Sequence, residues 1–288
     1  MDGRRRGPRA ALSTSPITVD RRAAREAARS RRARRDTLIA TVSTVVVVGA
    51  LVTAIVTSKG WPNVRATFFS WSSLKDSFPD LLKGFWLDVR IFVIVEAIVL
   101  VLGLVIAVAR NSRAPALAPL RLLGTLFVDV LRGVPTILVI YLIGFGVPAL
   151  ELSGLPSDPV ILGSAALALS YSAYVAEVYR AGIESVHPSQ RAAALALGLS
   201  EGQAMRFVVL PQAVRRVVPP LLNDFISLQK DAALVAILGP LEAFRVGQIA
   251  ASSDFVYTPL VGVALLYVCM TIPLARYVDR LQRRRRTA

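Results

Sequence analysis

The chain has 288 residues, of which 54% are hydrophobic and 18% charged, with a mean hydropathy of +0.56. Soluble domains of this length carry more charge and less hydropathy, and here the apolar residues are bunched into long blocks, which excludes an ordinary soluble fold. The net charge of +15 sits in arginine-rich ends with no RNA- or DNA-binding motif beside it, so the positive-inside rule accounts for it and nucleic acid is set aside as a partner.

Cys269 stands alone in an apolar run, so no disulfide framework or cysteine metal cluster is expected. The single histidine, His187, lies in a polar loop beside Pro188 and is not expected to be a ligand or a catalytic base. With one histidine and one cysteine, a membrane-embedded hydrolase lacks its nucleophile–base pair and its metal ligands.

Residues 1–36 are rich in arginine and poor in large apolar side chains, a composition that predicts a disordered basic tail lying in the cytoplasm. Residues 38–56 carry no charge and are long enough to cross a ~30 Å hydrocarbon core; with their flanks they form an extra first span, 37–57. The basic region and the apolar stretch are both too long for a signal peptide. Residues 58–83 mix Trp61, Phe68, Phe69, Trp71 and Phe78 with Lys75, Asp76, Asp80 and Lys83, an interfacial composition that the alternation of sides places outside.

The second span, 89–109, contains Glu96 near its middle, a costly position unless the carboxyl faces protein or a water-filled cavity. The third, 122–147, carries Asp129 and Arg132 at i, i+3, where they can pair on one face, followed by Gly133 and Pro135, which break or kink a membrane helix. Residues 148–159 form an outside loop without Lys or Arg. The fourth span, 160–179, has Ser170, Tyr171, Ser172 and Tyr174 in its middle. The fifth, 217–239, places Asn223, Ser227 and Lys230 at i, i+4, i+7 on one helical face. After an outside loop at 241–256 comes the sixth span, 258–277, with a basic cytoplasmic tail at 281–288. The expected fold is therefore an all-α integral membrane protein with six transmembrane helices, in a cytoplasmic membrane, with both termini inside.

Parity puts residues 177–211 on the cytoplasmic side. Pro188 suits a first helical turn, an alanine-rich stretch follows, and Gly198 suits a C-terminal stop. Ser200 and Gln203 form a capping box that opens a second helix. The segment is written as helix, turn, helix, a compact knob for a partner's groove.

These residues carry a resemblance. Ala193 and Ala194, then Gly198, nine residues, Val208 and Leu210-Pro211 resemble the conserved cytoplasmic loop of ABC-transporter permeases, whose pattern is E-A-A, three residues, Gly, nine residues, Ile, one residue, Leu-Pro. Ala192 stands where that pattern has Glu, so docking here is expected to rest on shape and on Arg191 or Glu201. The stretches at 127–148, 171–183 and 210–239 are similar to permeases of polar amino-acid importers, and the likeness covers residues 84–280, the family's five-helix core.

The resemblance implies a permease that pairs with a second copy or a homologue, docks two ABC ATPase subunits and receives a polar amino acid from an extracytoplasmic solute-binding protein in a bacterial cell membrane. It makes His187, Pro188, Ser189, Gln190, Arg191, Ala192, Ala193, Ala194, Gly198, Leu199, Ser200 and Glu201 the ATPase-coupling loop, here taken as 180–211. The chain has no Gly-x-x-x-x-Gly-Lys-Ser/Thr loop, so it needs no cofactor of its own, and ATP with its magnesium belongs to the partner ATPase. Glu96, Arg132, Tyr171, Asn223, Ser227 and Lys230 are the candidates for the substrate pathway, by depth or by shared face. The competing reading is an ATP-independent secondary transporter or channel for small polar solutes, which would show inverted repeats with paired broken helices.

Overall fold

The computed structural model describes residues 16–112 and 114–287, and the side chains from 34 onward as far as 282, Arg113 excepted. Among the described residues every regular element is helical.

In the N-terminal unit the first helix, α1 (Pro16–Val56), begins well before the apolar run. The part of the basic tail between 16 and 36 is therefore helix rather than disordered chain. The reason is local: Pro16 has the fixed φ of a first turn, and the Ala and Arg that follow are strong helix formers. The expectation for 1–15 lies outside the described residues.

A short helix, α2 (Trp61–Phe68), leads to Ser70, whose side chain caps α3 (Trp71–Asn111). The segment read as a separate interfacial stretch, 58–83, thus consists of α2 and the first turns of the second span. At ~1.5 Å per residue a helix of 41 residues is about twice as long as the hydrocarbon core is thick. Thr258 fastens its start: its hydroxyl accepts from the Ser70 N–H (2.9 Å) and donates to the Thr67 carbonyl (3.3 Å).

The third span is broken outright. α4 (Ala118–Gly133) and α5 (Thr136–Ala149) meet at 109° across Val134-Pro135. Pro135 has no N–H and its ring pushes the preceding residue out of the helical region, so Val134 is extended at φ −104°, ψ 132°. α6 (Pro159–Glu184) is the central element, opened by Asp158, whose carboxylate accepts from the Val160 and Ile161 N–H groups. Small residues let its neighbours close in. A Cβ on Gly103 of α3 would sit 2.7 Å from a methyl of Val175 on α6. Around it Phe92, Val95 and Val99 of α3, Ile140 of α5, and Leu167, Tyr171 and Val175 of α6 form the main core, joined by Leu228 and Val235 from further along the chain.

Two segments after α6, α7 (Pro188–Ala196) and α8 (Glu201–Ala204), make up the polar loop. α9 (Leu210–Asp231) then tightens into a 3₁₀ stretch (Ala232–Leu238) that stops at Gly239, φ +105°. The expected loop at 241–256 is instead a helix, α10 (Ala243–Asp254), set at 54° to what precedes it. Glu242, between Pro240 and that helix, caps it by accepting from the Phe244 (2.7 Å) and Arg245 (2.5 Å) N–H groups. α11 (Thr258–Thr287) carries helix through most of the stretch read as a tail, because arginine continues a helix well.

Four described helices are long and apolar enough to cross a membrane, and six spans result if each bent pair counts as one.

Candidate functional site

The polar loop is built from local signals. His187 caps α7, its Nδ1 accepting from the Ser189 N–H at 3.2 Å, and Pro188 occupies the first turn. The helix ends in a Schellman arrangement: Leu199 N–H donates to the Ala194 carbonyl, Gly198 N–H to the Leu195 carbonyl, and Gly198 takes φ +86°. Ser200 then closes a complete capping box with Gln203, at 3.3 Å and 2.9 Å. The helix it opens is not a free-standing second helix, because after one turn it widens into a π-helical turn (Met205–Val209) and continues into α9. Pro211 explains this: it cannot donate to a carbonyl one turn back, and the ladder is re-routed there. Gln212 Nε2 donates to the Val208 carbonyl at 3.1 Å.

A small core of Val186, Val209 and Ala213, flanked by Ile183 and Met205, fills the space under the loop. At its root Arg216 donates to the Ser185 carbonyl, tying α9 to the end of α6. The outer surface is apolar in part, with Leu197 85% and Phe207 61% exposed, and Ala192 and Ala193 also exposed.

Arg191 and Glu201, expected to face a partner, face each other. Arg191 Nη2 and Nε donate to Glu201 Oε2 at 2.6 and 2.8 Å, clamping α7 to α8. Glu201 is exposed and Arg191 about one-third so, and water screens the pair. A double-mutant cycle on thermal stability with Arg191→Ala and Glu201→Ala should give a coupling of about 0.5 kcal/mol. A coupling near zero would mean that the clamp adds nothing to the loop's shape.

Above the loop lies a cluster missed from the sequence. Glu177 of α6 receives Arg110 from the end of α3 (3.0 Å), Arg180 one turn on (2.5 Å) and Arg132 from the end of α4 (3.9 Å). Arg180 also holds Glu184 at 2.5 Å. Arg132 therefore pairs with Glu177 rather than with Asp129. The i, i+3 spacing made the local pair possible, but the close packing of α4 on α6 offers a carboxylate already ordered by two other arginines. The Arg132 guanidinium also lies 5.9 Å from the centre of the Tyr174 ring.

The six pathway candidates do not converge on one point. Asn223, Ser227 and Lys230 share a face of α9 as the spacing predicts, and all three are exposed, while Leu228 and Gln229 turn inward. Gln229 accepts from Thr271 of α11 at 2.7 Å. Tyr171 is buried, its hydroxyl donating to Asp231 at the end of α9 (2.7 Å). Glu96 is half-buried on α3, in electrostatic range of Asp224, whose Oδ2 is buried without a hydrogen-bond partner. Arg132 belongs to the Glu177 cluster.

A second buried cluster was also missed. Asp88 of α3, 2% exposed, accepts from Tyr267 of α11 (2.8 Å) and from the Ala243 N–H (3.4 Å), next to the fully buried Glu242. It joins α3, α10 and α11. An acidic residue just after Gly-Pro-Leu and before an Ala-Phe-Arg run is a readable helix cap, and that signal could have found Glu242. Nothing local marks Asp88. No group of three or more His, Cys, Asp or Glu side chains suited to a metal occurs among the described residues.

The sequence profile described as "Binding-protein-dependent transport system inner membrane component" matches residues 100–287. The chain is 36% identical over 214 residues to the probable glutamine ABC transporter permease protein GlnM of Bacillus subtilis (strain 168), covering 74% of this chain and 96% of that one. It is 33% identical over 217 residues to the glutamine transport system permease protein GlnP of Escherichia coli (strain K12), covering 75% and 97%. Among solved structures, one described as an amino acid ABC transporter with histidines superposes with a TM-score of 0.68 at 30% identity, over 75% of this chain and 98% of that one. An inward-facing form of the MetNI methionine ABC transporter shares the fold, with a TM-score of 0.55 at 20% identity. The matched helices, the broken spans and the capped loop together place this chain in the family of inner-membrane permease components of binding-protein-dependent ABC transport systems.

Proposed function

We propose that this permease serves an ATP-driven importer of polar amino acids, with both termini and residues 180–211 in the cytoplasm. The observation that carries the reading is the loop. It is capped at both helices, has its own small core and runs without a break into α9, so a force on it moves a membrane helix. The names of the relatives, which include glutamine and glutamate/aspartate permeases, support a polar amino acid as the solute.

In this reading ABC ATPase subunits, holding ATP and its magnesium, seat the exposed surface around Ala192, Leu197 and Phe207. A second permease, identical or homologous, covers the α9 face that carries Asn223, Ser227 and Lys230. A solute-binding protein delivers the amino acid on the other side. Nucleotide-driven closure then biases a two-state bundle between outward- and inward-open forms. Tyr171, Glu96 and Arg132 contribute polar surface along the route.

Co-purification with an ATPase subunit and uptake in vesicles test this. The expected result is ATP-dependent uptake that polar amino acids compete for. Uptake that persists without ATP, with no ATPase bound, overturns the importer reading. Asn223, Ser227 and Lys230 are exposed, so alanine there leaves no cavity. Lys230→Ala should lower uptake about tenfold, as expected for a lost charge-assisted contact of ~1.4 kcal/mol. Normal affinity and rate at all three positions would remove the α9 face from the pathway.

A further inference from the structure

Two carboxyl groups meet inside the bundle, away from both the coupling loop and the polar route. Asp88 of α3 and Glu242 at the head of α10 are 2% and 0% exposed, and their side chains lie in hydrogen-bonding contact. An ionised carboxylate only accepts hydrogen bonds, so two of them in contact have no hydrogen to share. Glu242 takes the Phe244 and Arg245 N–H groups, one on each oxygen. Asp88 Oδ2 takes the Tyr267 hydroxyl and the Ala243 N–H, while Asp88 Oδ1 is buried and receives no donor.

No cation answers the pair among the described residues. On α3, Lys83 is exposed and held by Asp80, Arg90 is exposed, and Glu96 lies ~12 Å further along the helix. On α10 both Arg245 and Asp254 are exposed. From α11 comes Tyr267, and residues 258–275 of that helix carry no Asp, Glu, Lys or Arg, nor does the 3₁₀ stretch at 232–238. The surroundings are apolar, with Leu81 and Val263 buried and Phe85, Val246 and Leu266 packed on them. Space is short as well. A Cβ on Gly84 would lie 2.7 Å from the Ala243 nitrogen, so α3 and α10 meet backbone to backbone and leave no room for a hydrated cation.

Two touching carboxylates in a dry site cannot both stay ionised, and one proton turns their contact from repulsion into a hydrogen bond. The helix decides which group takes it. Glu242 is the N-cap of α10, where two N–H groups and the positive end of the helix favour its charged form. Asp88 Oδ1, with no donor on it, is free to carry the hydrogen. We propose that Asp88 and Glu242 form a proton-binding site that clasps α3 to α10, with Asp88 as the carboxylic acid and Glu242 as the carboxylate it donates to. Loss of the proton sets two negative charges against each other and loosens α10 from α3. The unfolded chain sheds such a proton near about pH 4, and the folded chain keeps it. The stabilisation is therefore complete below that value and declines as pH rises, by about tenfold in the unfolding constant per pH unit.

Denaturant unfolding of the full-length protein in detergent tests this, with wild type compared against Asp88→Asn between about pH 5.5 and 7.5. The amide keeps a donor for Glu242 but has no proton to lose, and every other titrating group cancels in the comparison. The wild-type unfolding constant should rise about 100-fold more than that of the variant over those two pH units. A difference below about tenfold overturns the proposal. A second measurement needs no unfolding: the infrared carbonyl band of a protonated carboxylic acid, shifted in heavy water, should be present in wild type at neutral pH and absent from Asp88→Asn. A spectrum unchanged by Asp88→Asn overturns the proposal. A band lost in Glu242→Gln but kept in Asp88→Asn puts the proton on the wrong partner and overturns the assignment. Parallel pH curves in which sodium, but not choline, stabilises wild type over the variant mean that a metal ion holds the pair, and the proton site is refuted. None of these outcomes bears on whether the core imports amino acids.

Discussion

Glu177→Ala should lower the stability of the permease by about 2–3 kcal/mol. The carboxylate is the meeting point of Arg110, Arg180 and Arg132, from three helices, and the Arg110 side chain is only 11% exposed. Removing the acid leaves Arg110 in a half-dry site without a counter-charge. Glu177 itself is one-fifth exposed, so the cost falls below that of a fully buried pair. Thermal unfolding in detergent reads the effect. A cycle with Arg110→Ala decides the mechanism, because truncating both partners should recover at least a third of the single-variant loss. A Glu177→Ala protein within about 0.5 kcal/mol of wild type would show that water already satisfies the arginines.

Gly84→Ala should cost about 2–3 kcal/mol, or several degrees of melting temperature, for one added methyl group. The new Cβ would sit 2.7 Å from the Ala243 nitrogen and the Glu242 carbonyl carbon. Both are backbone atoms, and no side-chain rotamer change relieves the contact. They belong to the capped N-terminus of α10, so α3 and α10 must separate, pulling Asp88 from the Ala243 N–H. The substitution should also weaken Asp88→Asn, so that the two changes together cost less than their sum. A Gly84→Ala protein that melts like wild type would mean that α10 shifts on α3 at no cost.

Much of this molecule was legible because its signals are local. Pro188, Gly198, Ser200 and Gln203 act within one turn of themselves, and the caps and the turn they make are those expected, though the second helix is a single turn that runs on into α9. Charge-free runs likewise announce spans whatever lies around them. Three kinds of feature stayed hidden. Pro135 signalled a break but not its angle, which depends on what α5 packs against once released. Residues 241–256 carry too few apolar positions for a span, and α10 exists because Glu242 caps it and Gly84 admits it. Arg180 lies one turn on from Glu177 on α6, but Arg110 and Arg132 come from α3 and α4, and no spacing within one helix can report a meeting of three. For the same reason Arg191 and Glu201 were assigned to an external partner, though the turn at Gly198 brings them to each other.

The continuity of α8 through the π turn into α9 makes the loop mechanically lopsided. On that side the helical ladder passes from the loop into α9 with no coil between them, so a displacement of the loop is passed directly to α9. On the other side α7 is joined to α6 through three non-helical residues, 185–187, held by the buried Val186 and by the Arg216 contact to the Ser185 carbonyl. In the importer proposed above, the stroke of a docked ATPase would thus reach α9 along continuous helix and α6 across the non-helical link and the Arg216 contact. The Arg216 contact to Ser185 would then set how far α9 moves before it carries the end of α6 with it.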